Sequence, residues 1–244
     1  MTVGVVGSGP AVDAIEAALS DVDVHAVTGG LDLVGEVDLA VVAGLAGSDG
    51  FLQANEASLE AGTLWIAVEI GGIGGVPVDG LDATVSVFDP DAACFECLRA
   101  RVQSVGTEPA DEPRADRSAV RVAGAHAGRL AVQAIAGEDV AGTVIEVPYA
   151  QRHLLAVPDC RCESGHETTV DRSVVTRGLN DSVSRAERAI DDRLGIVSQI
   201  GEHDSFPAPS FLASIADTSA YSDAEAPRHA AGVDVDWDRA FMKA

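Results

Sequence analysis

The sequence predicts an α/β fold carrying one metal centre. Three observations lead there. Short valine-rich apolar runs alternate with stretches of helical composition. A glycine pair, Gly7 and Gly9, closes the first apolar run. Four cysteines fall in two close pairs, Cys94 with Cys97 and Cys160 with Cys162.

The elements follow in order. Val3–Val6 reads as a first strand, and Pro10 followed by Ala11–Leu19 as a first helix, with proline in the first turn where its missing N–H costs nothing. Val22–Val27 reads as a second strand and Val37–Ala43 as a buried third. Phe51–Ala61 is expected to be helical, capped near Ser48 or Asp49 and stopped by Gly62. Thr63–Glu69 and Val85–Phe88 are strands, and the rhythm to this point predicts a parallel, doubly wound sheet. Asp91–Gln103 reads as a helix holding the first cysteine pair. Ser104–Ser118 is a polar, Pro-containing linker expected to be mobile. Ala119–Ile135 is a long Ala-rich helix ending at Gly137, although Gly124 and Gly128 weaken it. Val144–Pro148 is a strand, Asp181–Leu194 a charged helix, and Gly195–Ile200 and Ser210–Ala216 the strands of a second unit.

Composition narrows the function classes. The 244 residues suffice for one large or two small cores, and 47% of them are apolar. Net charge is −23, and Lys243 is the only lysine. Carboxylates spread along such a chain suit molar salt, where they hold water and cations and their repulsion is screened. The same acidity argues against nucleic acid as a partner, since phosphates would be repelled. No apolar run spans a bilayer and no basic segment precedes the first one, so the expectation is a cytoplasmic protein without membrane contact.

Gly7-Ser8-Gly9-Pro10-Ala11-Val12 is a partial dinucleotide fingerprint. Gly7 and Gly9 stand where a nucleotide-binding loop needs them, between strand and helix. Val12 occupies the third position, where glycine or alanine is usual, and the second strand ends His25-Ala26-Val27-Thr28 without a ribose-binding acid. The alternative is a tight strand-to-helix turn with no ligand. The glycine run Gly71–Gly75 has no accompanying base and reads as a flexible loop.

Cys94 and Cys97 have the spacing of a zinc knuckle, and Cys160 and Cys162 supply two further thiolates from a distant segment. Zinc prefers four such ligands in a tetrahedron. Redox thiols or disulfides are the competing readings, the latter disfavoured in a reducing compartment. Asp159 and His166 flank the second pair as polar neighbours or substitute ligands. No nucleophile elbow, HExxH or Walker loop is present. His126 reads as a packed residue, and Arg152 and His153 as residues orienting the second cysteine loop. No residue is assigned a catalytic role.

Two stretches resemble known families. TLWIAVEIGGIGG…FDPDAACFECLRARVQS, with HLLAVPDCRC, resembles the adenylation-domain fold of ThiF and ubiquitin-activating enzymes in the degenerate form found in azole-peptide cyclodehydratases. RGLNDSVSRAERAIDDRLGIVSQIGEHD and AAGVDVDWDRAFMKA resemble the opening helix, first strand and glycine turn of a YcaO domain. The whole is similar to fused ThiF-like/YcaO cyclodehydratases of haloarchaeal type. The resemblance implies a Rossmann-like, zinc-binding ThiF-type domain over residues 1–164 and an incomplete α+β YcaO segment over 165–244. It implies Cys94, Cys97, Cys160 and Cys162 as structural zinc ligands. ATP and magnesium would be held only by a complete YcaO domain, whose glutamate-bearing helix lies beyond Ala244. The implied role is scaffolding and presentation of a precursor peptide or protein substrate while its backbone is converted to azoline or thioamide, with a homodimer as a possible assembly. An active adenylating enzyme for a sulfur carrier or ubiquitin-like protein, and a non-enzymatic zinc-stabilised module, are the alternatives.

Overall fold

The valine run that opens the chain forms β1 (Val3–Val6), buried over its whole length, and the sheet grows outward from it on both sides. The structure is a computed structural model and describes residues 1–148, 150–158, 160–163, 178–217 and 227–244. α1 (Pro10–Ser20) follows the Gly7–Gly9 turn with Pro10 at its start, and leads to β2 (Ala26–Gly29), parallel to β1. A 3-10 turn at Leu31–Gly35 precedes β3 (Leu39–Leu45), parallel to β1 on its other side. α2 (Gly50–Ala61) ends at Gly62 in the left-handed conformation and returns the chain to β4 (Leu64–Ile70), parallel to β3.

The parallel order stops there. After a small hairpin, β5 (Gly72–Ile73) with β6 (Val76–Pro77), strand β7 (Ala83–Phe88) runs antiparallel to β4. The connection is taken up by that hairpin instead of a crossover helix, and the chain turns back beside β4. α3 (Phe95–Ser104) and α4 (Arg117–Ile135) come next, then β8 (Thr143–Val147) and β9 (Ala150–His153), each antiparallel to its predecessor in the sheet. The seven-stranded sheet has the order β2-β1-β3-β4-β7-β8-β9. It is therefore mixed, where the βαβ rhythm predicts parallel strands throughout.

Each face of this sheet carries a core. On one, Val3, Val5, Val41, Ile66, Val85 and Val87 pack under α1 and α4. On the other, Val42, Trp65, Ala67, Phe88 and Val144 pack under α2 and α3. Gly124 and Gly128, which weaken the sequence expectation for α4, are what lets α4 approach α1. A Cβ on Gly124 would stand 2.3 Å from the Ala11 carbonyl oxygen, and one on Gly128 2.6 Å from the Ala18 Cβ. The segment between α3 and α4 has no regular structure but is held: Ala110 N–H donates to Pro77 O at 2.8 Å and Asp116 N–H to Asp82 Oδ1 at 2.6 Å.

Beyond the sheet, α5 (Leu179–Glu187) is shorter than the charged helix expected over Asp181–Leu194. β10 (Val197–Asp204), β11 (Ser210–Ile215) and β12 (His229–Val233) form a second, antiparallel sheet, covered by α6 (Trp237–Lys243). Phe211, Trp237 and Phe241 stack where α6 meets that sheet. The stretch expected to be a glycine turn is strand β12. Its Gly232 is required because a Cβ there would lie 2.2 Å from Ala240 O.

An ion cluster ties the seven-stranded sheet to the segment between α5 and β10. Arg152 on β9 donates to Glu146 of β8 at 2.9 Å, to Asp191 at 2.8 Å and to Asp192, and Arg193 reaches Glu146 at 2.8 Å. Arg152 thus grips the segment after α5 rather than the cysteine loop that the sequence reading assigned to it. Among the described residues, no helix is long and apolar enough to cross a membrane.

Candidate metal centre

Cys94 and Cys97 are placed by the start of α3. The helix begins one residue later than Cys94, not at Asp91, so Cys94 is its extended N-cap and Cys97 lies in its first turn. That end is fixed by packing and hydrogen bonding. Phe95 sits among Phe51, Trp65 and Phe88, and its backbone N–H donates to the buried Asn55 Oδ1 at 2.9 Å. Free N–H groups at a helix start carry partial positive charge and favour thiolates.

The second pair arrives on the return from β9. Leu154 and Val157 are buried in the α3-side core. Arg101, 1% exposed, holds the same return through its main chain: its Nη2 donates to Ala156 O at 3.0 Å, and its Nε approaches Leu155 O at 3.5 Å. Val157 N–H donates to Cys97 Sγ at 3.3 Å. The chain then turns, and Cys160 and Cys162 meet the first pair, Cys162 at the 3-10 turn Arg161–Glu163.

The four sulfurs lie within 4.8 Å of one another. Three edges of the set measure 3.6 Å (Cys94–Cys160), 3.6 Å (Cys97–Cys162) and 3.9 Å (Cys94–Cys97). A zinc–sulfur bond of about 2.3 Å gives a tetrahedron with edges of about 3.8 Å, whereas a disulfide needs about 2.05 Å. Each sulfur therefore shares a common centre with the others instead of bonding to one. Cys94, Cys97 and Cys162 are buried and Cys160 is half-buried. Packed together without a cation, the thiols compete for protons. Cys160 is pushed down as Cys162, Cys94 and Cys97 donate to it, while Cys94 and Cys162 are pushed up, first through Cys160. A divalent cation of soft character removes that competition by letting all four be thiolates. Asp159 and His166, the flanking residues of the sequence reading, lie outside the described residues.

The glycine loop makes a tight strand-to-helix turn. Gly7 has φ 122° because β1 passes close to β3: a Cβ would stand 2.4 Å from Ala43 O. Gly9, at φ 89°, makes the turn into α1. Val12, in the third fingerprint position, is 5% exposed and belongs to the core under α1. β2 extends to Gly29, further than the sequence reading places it, and the nearest acid beyond it is the exposed Asp32.

Sequence reasoning missed two buried polar anchors. Arg101 is one, and the CLRAR run gives no reason to choose it over Arg99. Glu69 is the other. Fully buried at the end of β4, it accepts from Gly74 N–H at 2.7 Å and Gly75 N–H at 2.6 Å, so the glycine run is pinned rather than free. Burial pushes Glu69 up to about 7, against the pull of the Gly75 and Gly74 amides and of Arg99. A carboxylate closing the apolar run of β4 was the available signal.

No protein-family model matches the sequence, and no curated protein does. Solved structures do. A heterocyclase in complex with substrate and cofactor aligns over 99% of this chain at TM-score 0.60 and 16% identity. This chain spans 38% of that one. MccB of E. coli, solved with succinimide, aligns over 66% of each chain at TM-score 0.47 and 13% identity. PaaA aligns over 63% of each at TM-score 0.39 and 14% identity. The likeness to the heterocyclase is one of fold, and it extends through both sheets of this chain.

Proposed function

We propose that this chain is the zinc-anchored scaffold and substrate-presenting portion of an ATP-dependent enzyme that converts peptide-backbone amides to azolines or thioamides. The observation that carries the reading is the four-cysteine set, gathered from two distant segments onto a fold shared along its length with a heterocyclase. In this reading residues 1–164 are a ThiF-like domain, 165–244 the beginning of a YcaO domain, and the precursor peptide the partner. Cys94, Cys97, Cys160 and Cys162 hold zinc, which joins α3 to the return from β9 and supplies folding energy rather than a Lewis acid. Gly7 and Gly9 make a turn and bind no nucleotide. ATP and magnesium belong to the catalytic YcaO part, which phosphorylates the amide oxygen and releases it as phosphate after attack by a side chain or sulfide.

Two measurements test this. Metal analysis should find one zinc per chain, and Cys97→Ser should lose it together with the cooperative melt; equal zinc in both proteins sinks the assignment. Supplied in trans to a YcaO catalytic domain with ATP and a cysteine-containing peptide, the chain should be required for loss of one water, or for exchange of oxygen for sulfur. Product formation at the same rate without the chain would refute the presenting role.

A further inference from the structure

β9 is the last strand of the seven-stranded sheet, and among the described residues no strand pairs with its outer side. Its register fixes which groups are free there. Leu154 N–H donates to Gly142 O, and residues pair across β8 and β9 as Val144 with Arg152 and Thr143 with His153. Antiparallel hydrogen bonding alternates, so Arg152 and Ala150 face β8, while the main-chain N–H and C=O of Gln151 and His153 point outward. They open onto a cleft of about 630 Å³ whose far wall is Ser184 and Glu187 of α5 with Arg188 just beyond its end. A free strand edge facing a helix across a gap is the arrangement in which an extended peptide adds as a further strand.

Charge selects the peptide. Asp191 and Arg152 at the cleft are spent on each other. Asp139 and Glu187 line it with no ion pair among the described residues, against the single unpaired guanidinium of Arg188. His153, held below its ordinary value by burial and then by Arg188, adds no charge near neutral pH. The whole molecule, at −23, adds to the negative field.

We infer that the cleft between β9 and α5 is a docking site for an extended basic peptide, which pairs through its main chain with Gln151 and His153 and through its cations with Asp139 and Glu187. The inference rests on the reading of this chain as a peptide-presenting portion, and says where the peptide is held.

Proline at an outward-facing position of an edge strand removes the free donor without breaking the ladder to the inner neighbour. Gln151→Pro is therefore the diagnostic variant. The probes are a fluorescein-labelled alternating Lys-Val octapeptide, its Glu-Val counterpart, and a Lys-Val version interrupted by two prolines, read by anisotropy on the full chain. The expected result is saturable binding of the first probe only, weakened about tenfold or more by Gln151→Pro with zinc content and melt unchanged. Asp139→Arg with Glu187→Arg should weaken the Lys-Val probe and admit the Glu-Val one. Unchanged binding in Gln151→Pro would overturn the cleft assignment and leave the presenting role standing. No binding of any probe to the wild type would overturn both. Sedimentation supplies one more outcome: a wild-type dimer split by Gln151→Pro would give the β9 edge to a second copy and overturn the proposal. If Gln151→Pro fails to fold, the double arginine variant decides, and binding insensitive to it refutes the site.

Discussion

Glu69 shows how much one side chain can govern. Its carboxylate is fully buried and its ordinary value of 4.5 rises to about 7 in the fold. The folded state therefore keeps a proton that the unfolded chain releases between those values. Its favourable contribution is complete below pH 4.5 and declines as pH rises to about 7. The full change is about 3 kcal/mol at most. Asp192 and Asp234, held low by Arg152 and Lys243, act in the opposite sense below that window. The difference between wild type and Glu69→Gln isolates it. Urea melts should show the wild type losing stability relative to the variant between pH 5 and pH 7.5, and a difference flat in pH would contradict this. At pH 5 the variant should be weaker by about 1–3 kcal/mol, because its amide NH2 would face one of the two glycine N–H groups donor to donor, where both oxygens of a protonated carboxyl keep a lone pair.

At the scale of elements, the contact between α1 and α4 rests on glycine. Gly124→Ala should raise helix propensity by about 1 kcal/mol, which alone predicts a more stable protein. The new Cβ would meet the backbone of Ala11, with its oxygen at 2.3 Å and its Cα at 2.8 Å. A backbone cannot swing aside as a long side chain can, so α4 must move off α1. The expected net result is a loss of about 1–3 kcal/mol in urea unfolding, and a gain would refute the close-packing account. The same residue marks where reading the sequence stopped. The strands β1, β3 and β4, the helices α1 and α2 and the cysteine pairs were legible because apolar runs, caps and thiol spacing are local signals. Whether a glycine breaks a helix or admits another depends on what lies opposite. The reversal at β7 was hidden in the same way, since a buried apolar strand reads alike in either direction. The centre was legible as four sulfurs, while Arg101 and Asn55, which hold their carriers, choose partners far along the chain.

Across the whole molecule the question is what a charge of −23 does to a fold whose seven-stranded sheet is tied by ions to the segment after α5. Among the described residues, Glu69 and Glu146 are the buried carboxylates, so the excess charge lies at the surface. There it repels itself over about 10 Å at 0.1 M salt and about 3 Å at 1 M. The Arg152 cluster responds less. Arg152 and Glu146 have side chains only 12% and 9% exposed, and their attraction is screened less than the repulsion outside. Salt should therefore remove more repulsion than attraction. The melting temperature should rise through a potassium chloride series into the molar range, and a flat or falling series would refute the reading of the acidic surface as an adaptation to salt. Arg152→Met tests the second half of the argument. It leaves Glu146 buried with Arg193 alone and Asp191 without its guanidinium, so the variant should melt lower at every salt concentration. Its loss should persist at molar salt, where an exposed pair would have ceased to contribute; a loss that vanishes with salt would show that the cluster behaves as an ordinary surface pair.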